Sequence, residues 1–276
     1  MLLISWIAVV LIMILLCCLL EYWITPVIPR MSGSRRRRWP TNFAFYFINT
    51  GLHFAIPIST VTAAKYAESE GLGILNVIEL PNWIDCLMTA CFISFAAYLF
   101  HLAMHKIPFF WSVHRVHHSD DDLDWSSALR NHPFEVLLGT VYASSIGLVL
   151  GLNSSIVIIM FLLNLVIDFL SHSRITLSKK SEAILQYIII TPQLHHIHHS
   201  NWHKETDSNF GGDFSIWDRI FGTLNRVPLR PPNDFSYGID TIESAVAHDL
   251  DWLLKSPIKS DIVRRGDPQV NKIYNK

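Results

Sequence analysis

Five stretches of this 276-residue chain are long and apolar enough to be read as membrane helices, with polar loops between them. Residues 1–20 are interrupted only by Ser5 and match the roughly 20 residues a spanning helix needs. No basic segment precedes them and no small-x-small site follows, so a retained helix is expected rather than a cleaved signal peptide. Residues 42–64 form the second stretch, in which Gly51, His53 and Pro57 are tolerable if the freed backbone groups find partners. The third is 84–105, the fourth Pro133–Leu150 with Pro133 suited to a first helical turn, and the fifth 156–170. Residues 183–190 are too short to span and are expected at the interface, followed by a short helix capped by Thr191 with Pro192 as its first residue.

Charge orients these segments. Arg30 and Arg35 to Arg38 follow the first, Lys106, Arg115 and Arg130 the third, and Lys179 and Lys180 the fifth, whereas 65–82 sets Glu68, Glu70 and Glu79 against Lys65. Cations favour the cytoplasmic side, and the helix count gives the same answer: every histidine-rich stretch falls at one membrane face, the cytoplasmic one. The expected fold is all-α, with about four to five spanning helices and a cytoplasmic helical cap carrying a polyhistidine di-metal site.

Composition agrees. The hydrophobic fraction is 50%, the charged fraction 16% and the mean hydropathy +0.30, against about 25% charge in ordinary soluble domains. A net charge of −1 without a basic, aromatic-laced patch excludes a nucleic-acid partner. Cys17, Cys18, Cys86 and Cys91 lie in apolar runs and are read as small core residues rather than a disulfide framework.

Of 14 histidines, 12 lie between positions 101 and 203. His101 and His105 are spaced HxxxH, and His114, His117 and His118 are spaced HxxHH, as are His195, His198 and His199. On helices, residues three and four apart share a face and can reach one metal. Burying so many neutral imidazoles at the ends of membrane helices is costly without shared partners, which favours a metal site over a polar interfacial network. With His172, at the end of the fifth segment, the set exceeds the three or four protein ligands of a zinc site and suits two metals. Imidazole binds iron, copper, zinc and nickel alike. Asp168, four residues before His172, is placed to orient it, and His132 and His203 are further candidates to support the ligands. His196 is read as a spacer, His53 and His248 as structural. Asp120, Asp121, Asp122 and Asp124 are expected in a solvated turn, and Asp213, Asp218 and Arg219 in an ion-pair network under the site. A metal carrier or a non-catalytic scaffold is the alternative, but a carrier needs polar residues through the middle of its helices. An intramembrane zinc protease lacks its HExxH.

The motifs HLAMH (101–105), HRVHHS (114–119), RNHP (130–133), LSHSRI (170–175), TPQLHHIHHS (191–200) and NFGGDFSIWDRIFGT (209–223) together resemble the integral-membrane fatty acid hydroxylase/sterol desaturase superfamily, particularly its bacterial sterol desaturase-like members. The resemblance implies a catalytic domain over 85–225, preceded by membrane helices and loops over 1–84 and followed by a cytoplasmic tail over 226–276. It also implies an enzyme that uses two iron ions, O2 and reducing equivalents to hydroxylate or desaturate a C–H bond of a lipid, a sterol or fatty acyl chain among the candidates. Carried over position by position, the iron ligands fall on His101, His105, His114, His117, His118, His172, His195, His198 and His199. Thr176 stands where the fatty acid hydroxylase branch usually has another histidine, which argues against a fatty acid 2-hydroxylase. No segment corresponds to a fused cytochrome b5, so a separate electron donor is expected, either cytochrome b5-like or a ferredoxin with its reductase.

Overall fold

The computed structural model describes residues 12–21, 35–231, 234–240, 242–243 and 246–258. The first eleven residues of the first expected helix, Arg30, Pro232 and the end of the expected tail lie outside them. Among the described residues the fold is all-α, with two isolated β-bridges and no strand. Three helices are long and apolar enough to cross a membrane: α5 (Asn82–Lys106), α7 (Pro133–Leu150) and α8 (Ser154–His172). A shorter apolar helix, α1 (Ile12–Glu21), precedes them.

The second expected span is two helices, α2 (Arg35–Ala55) and α3 (Thr60–Glu70). Pro57 supplies no N–H and disfavours helical backbone in the residue before it, so the helix stops there. Ser59, extended at φ −148°, then caps α3 by accepting from the backbone N–H of Thr62. Together the two still run the length of the bundle. Arg38, at the start of α2, bonds Asp120 at the histidine end, while Glu68 of α3 accepts from the N–H of Ser154 (2.7 Å) at the opposite end. There α4 (Ile74–Val77) closes a turn against Gly151, whose φ of +68° and approach to the Leu72 carbonyl leave no room for a side chain.

α5, α7 and α8 therefore begin or end at one common face. Ile107 breaks the chain after α5, and Pro108 starts α6 (Pro108–His118), carrying the second histidine set, at once. His132 caps α7 through its ring nitrogen, and Asn153 caps α8. Beyond α8 come α9 (Lys179–Leu185) and α10 (Pro192–His198), which Thr191 caps and Pro192 opens as expected. The short helices α11 (His203–Thr206), α12 (Ile216–Phe221) and α13 (Leu250–Lys255) complete the described chain.

The acidic run after α6 is not a solvated turn. Asp120, Asp122 and Asp124 are buried, because Arg38 from α2 lies fully buried among them, bonding Asp120 at 2.6 and 2.9 Å and Asp124 at 3.1 Å. Burial alone would raise the Asp120 carboxyl; the Arg38 guanidinium and its hydrogen bonds override that and hold it well below the usual carboxylate range. Residues 246–258, within the expected C-terminal tail, cross beneath α6. Leu253 is fully buried with Phe45 and Val116, Arg115 donates to the Ser256 carbonyl (2.6 Å), and Arg130 donates to the Ala247 carbonyl. Asp213 and Asp218 do not pair with Arg219, which lies over the Tyr187 ring. Of the cysteines only Cys17 is buried, and Cys91 is exposed.

Candidate metal centre

The nine expected ligands converge, from four elements, into two adjacent groups. His101, His105, His114, His118 and His198 form one, and His117, His172, His195 and His199 the other, with candidate donor atoms within 4.8 Å of one another in each group. Each HxxHH set is shared: the pairs four residues apart, His114 with His118 and His195 with His199, stay together, while His117 and His198 cross to the other group. Stacked rings of His118 and His199, 4.4 Å apart, join the two.

Oxygen partners on one ring nitrogen fix what the other can do, because a carbonyl or carboxylate only accepts. Nδ1–H of His101 donates to the Phe210 carbonyl (2.9 Å), that of His114 to Glu135 Oε1 (2.7 Å) and that of His198 to the Ser208 carbonyl (2.7 Å). In the second group, His117 donates to the Arg130 carbonyl (3.3 Å) and His172 to the Asp168 carbonyl (2.7 Å), with Asp168 Oδ1 at 3.2 Å. In the neutral form of each of these rings Nε2 is then left as a lone pair. Yet Nε2 of His101 lies 3.2 Å from Nε2 of His114, and Nε2 of His172 lies 3.2 Å from Nε2 of His117. Lone pairs facing each other at that distance repel unless a cation lies between them. Two imidazole nitrogens, each about 2.1 Å from one metal, stand at about this separation, so the donor set fits a metal in each group. Nε2 of His198, buried without a hydrogen bond, fits the same reading.

Electrostatics agree. Burial, with neighbouring imidazoles adding, pushes His117, His118, His195, His198 and His199 well below the usual imidazole pKa, so they are neutral and able to bind metal.

Asp168 meets His172, as the four-residue spacing suggests. His132 and His203 belong to neither group: the first caps α7 and donates to the Leu254 carbonyl (3.1 Å), and the second opens α11. His196 is held by Tyr237 and the Ser173 carbonyl, and His248 by Asp121. Sequence reasoning missed Glu135. Its signal was present in RNHPFE, an acid one turn into an apolar helix beside a histidine set. Its Oε2 is buried without a hydrogen bond, and a cation in the five-histidine group offsets such a charge. Also missed was Arg130, fully buried, which clamps the end of α6 by donating to the Val116 carbonyl (2.9 Å) and Ser119 Oγ (2.9 Å).

Comparison with known proteins places this geometry. The alkylglycerol monooxygenase of Homo sapiens is 28% identical over 55% of the chain and 33% of its own length, and that of Caenorhabditis elegans 28% identical over 73% and 40%. The ornithine lipid hydroxylase OlsE of Rhizobium tropici is 27% identical over 51% of the chain and 42% of its own length. The chain thus spans less than half the length of these relatives. No solved structure matches it. The family model described as fatty acid hydroxylase matches residues 86–223, half of the chain and all nine histidines of the two groups. This integral membrane protein belongs to the fatty acid hydroxylase family, within the fatty acid hydroxylase/sterol desaturase superfamily.

Proposed function

We propose that the chain is an O2-dependent oxidoreductase that hydroxylates a C–H bond of a lipid at two irons. His101, His105, His114, His118 and His198 hold one iron and His117, His172, His195 and His199 the other, within a catalytic unit over 85–225. The facing lone pairs in both histidine groups carry this reading. Bound iron, with O2 and two electrons, supplies an oxidant strong enough for an unactivated C–H bond. Overall, R–H, O2, two electrons and two protons give R–OH and water.

The protein's part is to hold and to shield. Neutral imidazoles bind the metals without adding negative charge, and their Nδ1–H partners lock the rings with Nε2 inward. Burial keeps water from the oxidant. Hydroxylation is preferred to desaturation because the relatives' names describe hydroxylases and monooxygenases, and their diverse lipids leave the substrate class at a membrane lipid. Electrons come from a separate cytochrome b5-like or ferredoxin donor. The histidine face is cytoplasmic, since exposed Arg36, Arg37, Lys106, Lys179 and Lys180 lie at that end.

The test is expression under 18O2 with mass spectrometry of extracted lipids. A lipid that gains one 18O atom with the wild-type chain and not with His118→Ala supports the reading. No labelled lipid, or oxygen drawn from water, overturns it.

A further inference from the structure

The segment from α9 to α12 carries the third histidine set, yet its outer faces are apolar and exposed. Ile184, Tyr187 and Ile188 on one arm and Ile216, Ile220 and Phe221 on the other are each between 47% and 60% exposed. The two arms form one surface: Ile189 bridges Phe214, Ser215 donates its N–H to the Ile188 carbonyl (3.1 Å), and Arg219 lies 4.4 Å over the Tyr187 ring.

Its depth is fixed by what it touches. Trp217 donates its indole N–H to Ser94 Oγ (2.9 Å), and Ser94 donates to Asp213 Oδ1 (3.3 Å). Phe221 stacks on Phe95 at 5.7 Å and on Tyr98 at 5.4 Å. Ser94 is the midpoint of α5. On the other side, a side chain on Gly212 would come within 3.2 Å of Asn164, well inside α8. The arm therefore reaches along two spanning helices rather than standing above them. Irregular backbone is tolerated at such depth only where protein satisfies it. Asp218 does so, accepting from the N–H groups of Phe210 (2.7 Å) and Gly211 (2.8 Å) and from Thr223 Oγ1 (2.6 Å).

We propose that residues 184–190 and 212–221 form a wedge inserted into the leaflet adjoining the histidines, with the exposed apolar side chains of the two arms seated among lipid acyl chains. Lys179 and Lys180, exposed at the start of α9, meet the headgroup phosphates, and Arg219 and Arg226 cover Tyr187 at the boundary. The acyl chains continue the surface that already covers the exposed face of α5 at Leu87 and of α8 at Ile159. In consequence, α10 with His195, His198 and His199 is carried by a membrane-anchored support, not by a free cytoplasmic cap.

The test uses the full-length chain with its four cysteines replaced by serine and single nitroxide labels at Ile188→Cys and Ile220→Cys, in phosphatidylcholine vesicles. Collision with O2, which concentrates among acyl chains, is compared with collision with a water-soluble nickel chelate. Leu87→Cys is the lipid reference and Lys204→Cys the aqueous one, and unchanged far-ultraviolet circular dichroism shows that each labelled chain is folded. Ile184→Cys and Ile216→Cys sample the same faces if a first label perturbs them. An O2-to-nickel ratio several-fold above that at Lys204, as at Leu87, is expected. Ratios at both arms equal to that at Lys204 overturn the proposal.

Discussion

His114 donates its Nδ1–H to Glu135 across 2.7 Å, linking the second histidine set to the first turn of the helix that follows it. The bond fixes the His114 tautomer and turns Nε2 toward His101 and His118, each 3.2 Å away. A carboxylate behind an imidazole also raises its strength as a donor. Glu135→Ala is expected to weaken iron at the five-histidine group by roughly 10–100-fold, and Glu135→Gln, which keeps an acceptor, by less. Metal titration reads the affinity. Mössbauer spectra of 57Fe protein should show one iron site altered and the other unchanged. Wild-type affinity and spectra in Glu135→Ala would remove Glu135 from the account.

Arg38 sits among three buried carboxylates directly beneath the end of α6. Removing one partner of a buried pair leaves the others uncompensated, at a cost of about 3–5 kcal/mol. Arg38→Met is therefore expected to lower the thermal unfolding temperature in detergent, and Arg38→Lys, which loses the two-pronged contact with Asp120, to lower it by less. An unchanged melting temperature in Arg38→Met would mean that the network does not support the helix.

The buried histidines set a pH dependence for the metal-free protein. Their folded-state pKa values are depressed, so the unfolded chain binds more protons, and the stability they contribute is full above the unfolded value near 6.5 and declines as pH falls below it. Each neutral group loses up to about 1.4 kcal/mol per pH unit in that range, so several acting together give a steep decline. Melting curves between pH 8 and pH 5 check the sign, and a metal-free protein more stable at pH 5 contradicts it.

How far the sequence disclosed this arrangement depends on the range of the interaction. The apolar runs of α5, α7 and α8 and the histidine spacings are local patterns, legible because a helix repeats them. The division into two histidine groups was not legible as one face per set. Around a helix, residues four apart diverge by only about 40° and residues three apart by about 60° the other way, so a second metal can claim the third member. Asp120 reads as solvated until Arg38, which lies 82 positions earlier, is folded against it. Glu135 reads as an ordinary acid complementing a helix N-terminus, and only the packing of α6 beside α7 gives it a histidine. Pro57 did signal a break, but the apolar residues around it masked it.

The most direct test of the central claim is the iron content of the detergent-purified chain by elemental mass spectrometry, beside His198→Ala and His195→Ala, which remove one imidazole from each group. Close to two irons per chain are expected in the wild type and a loss in each variant, with the affinity falling at the group that was altered. Zinc alone in the wild type, or no metal in a chain that keeps its helical circular dichroism, would contradict it.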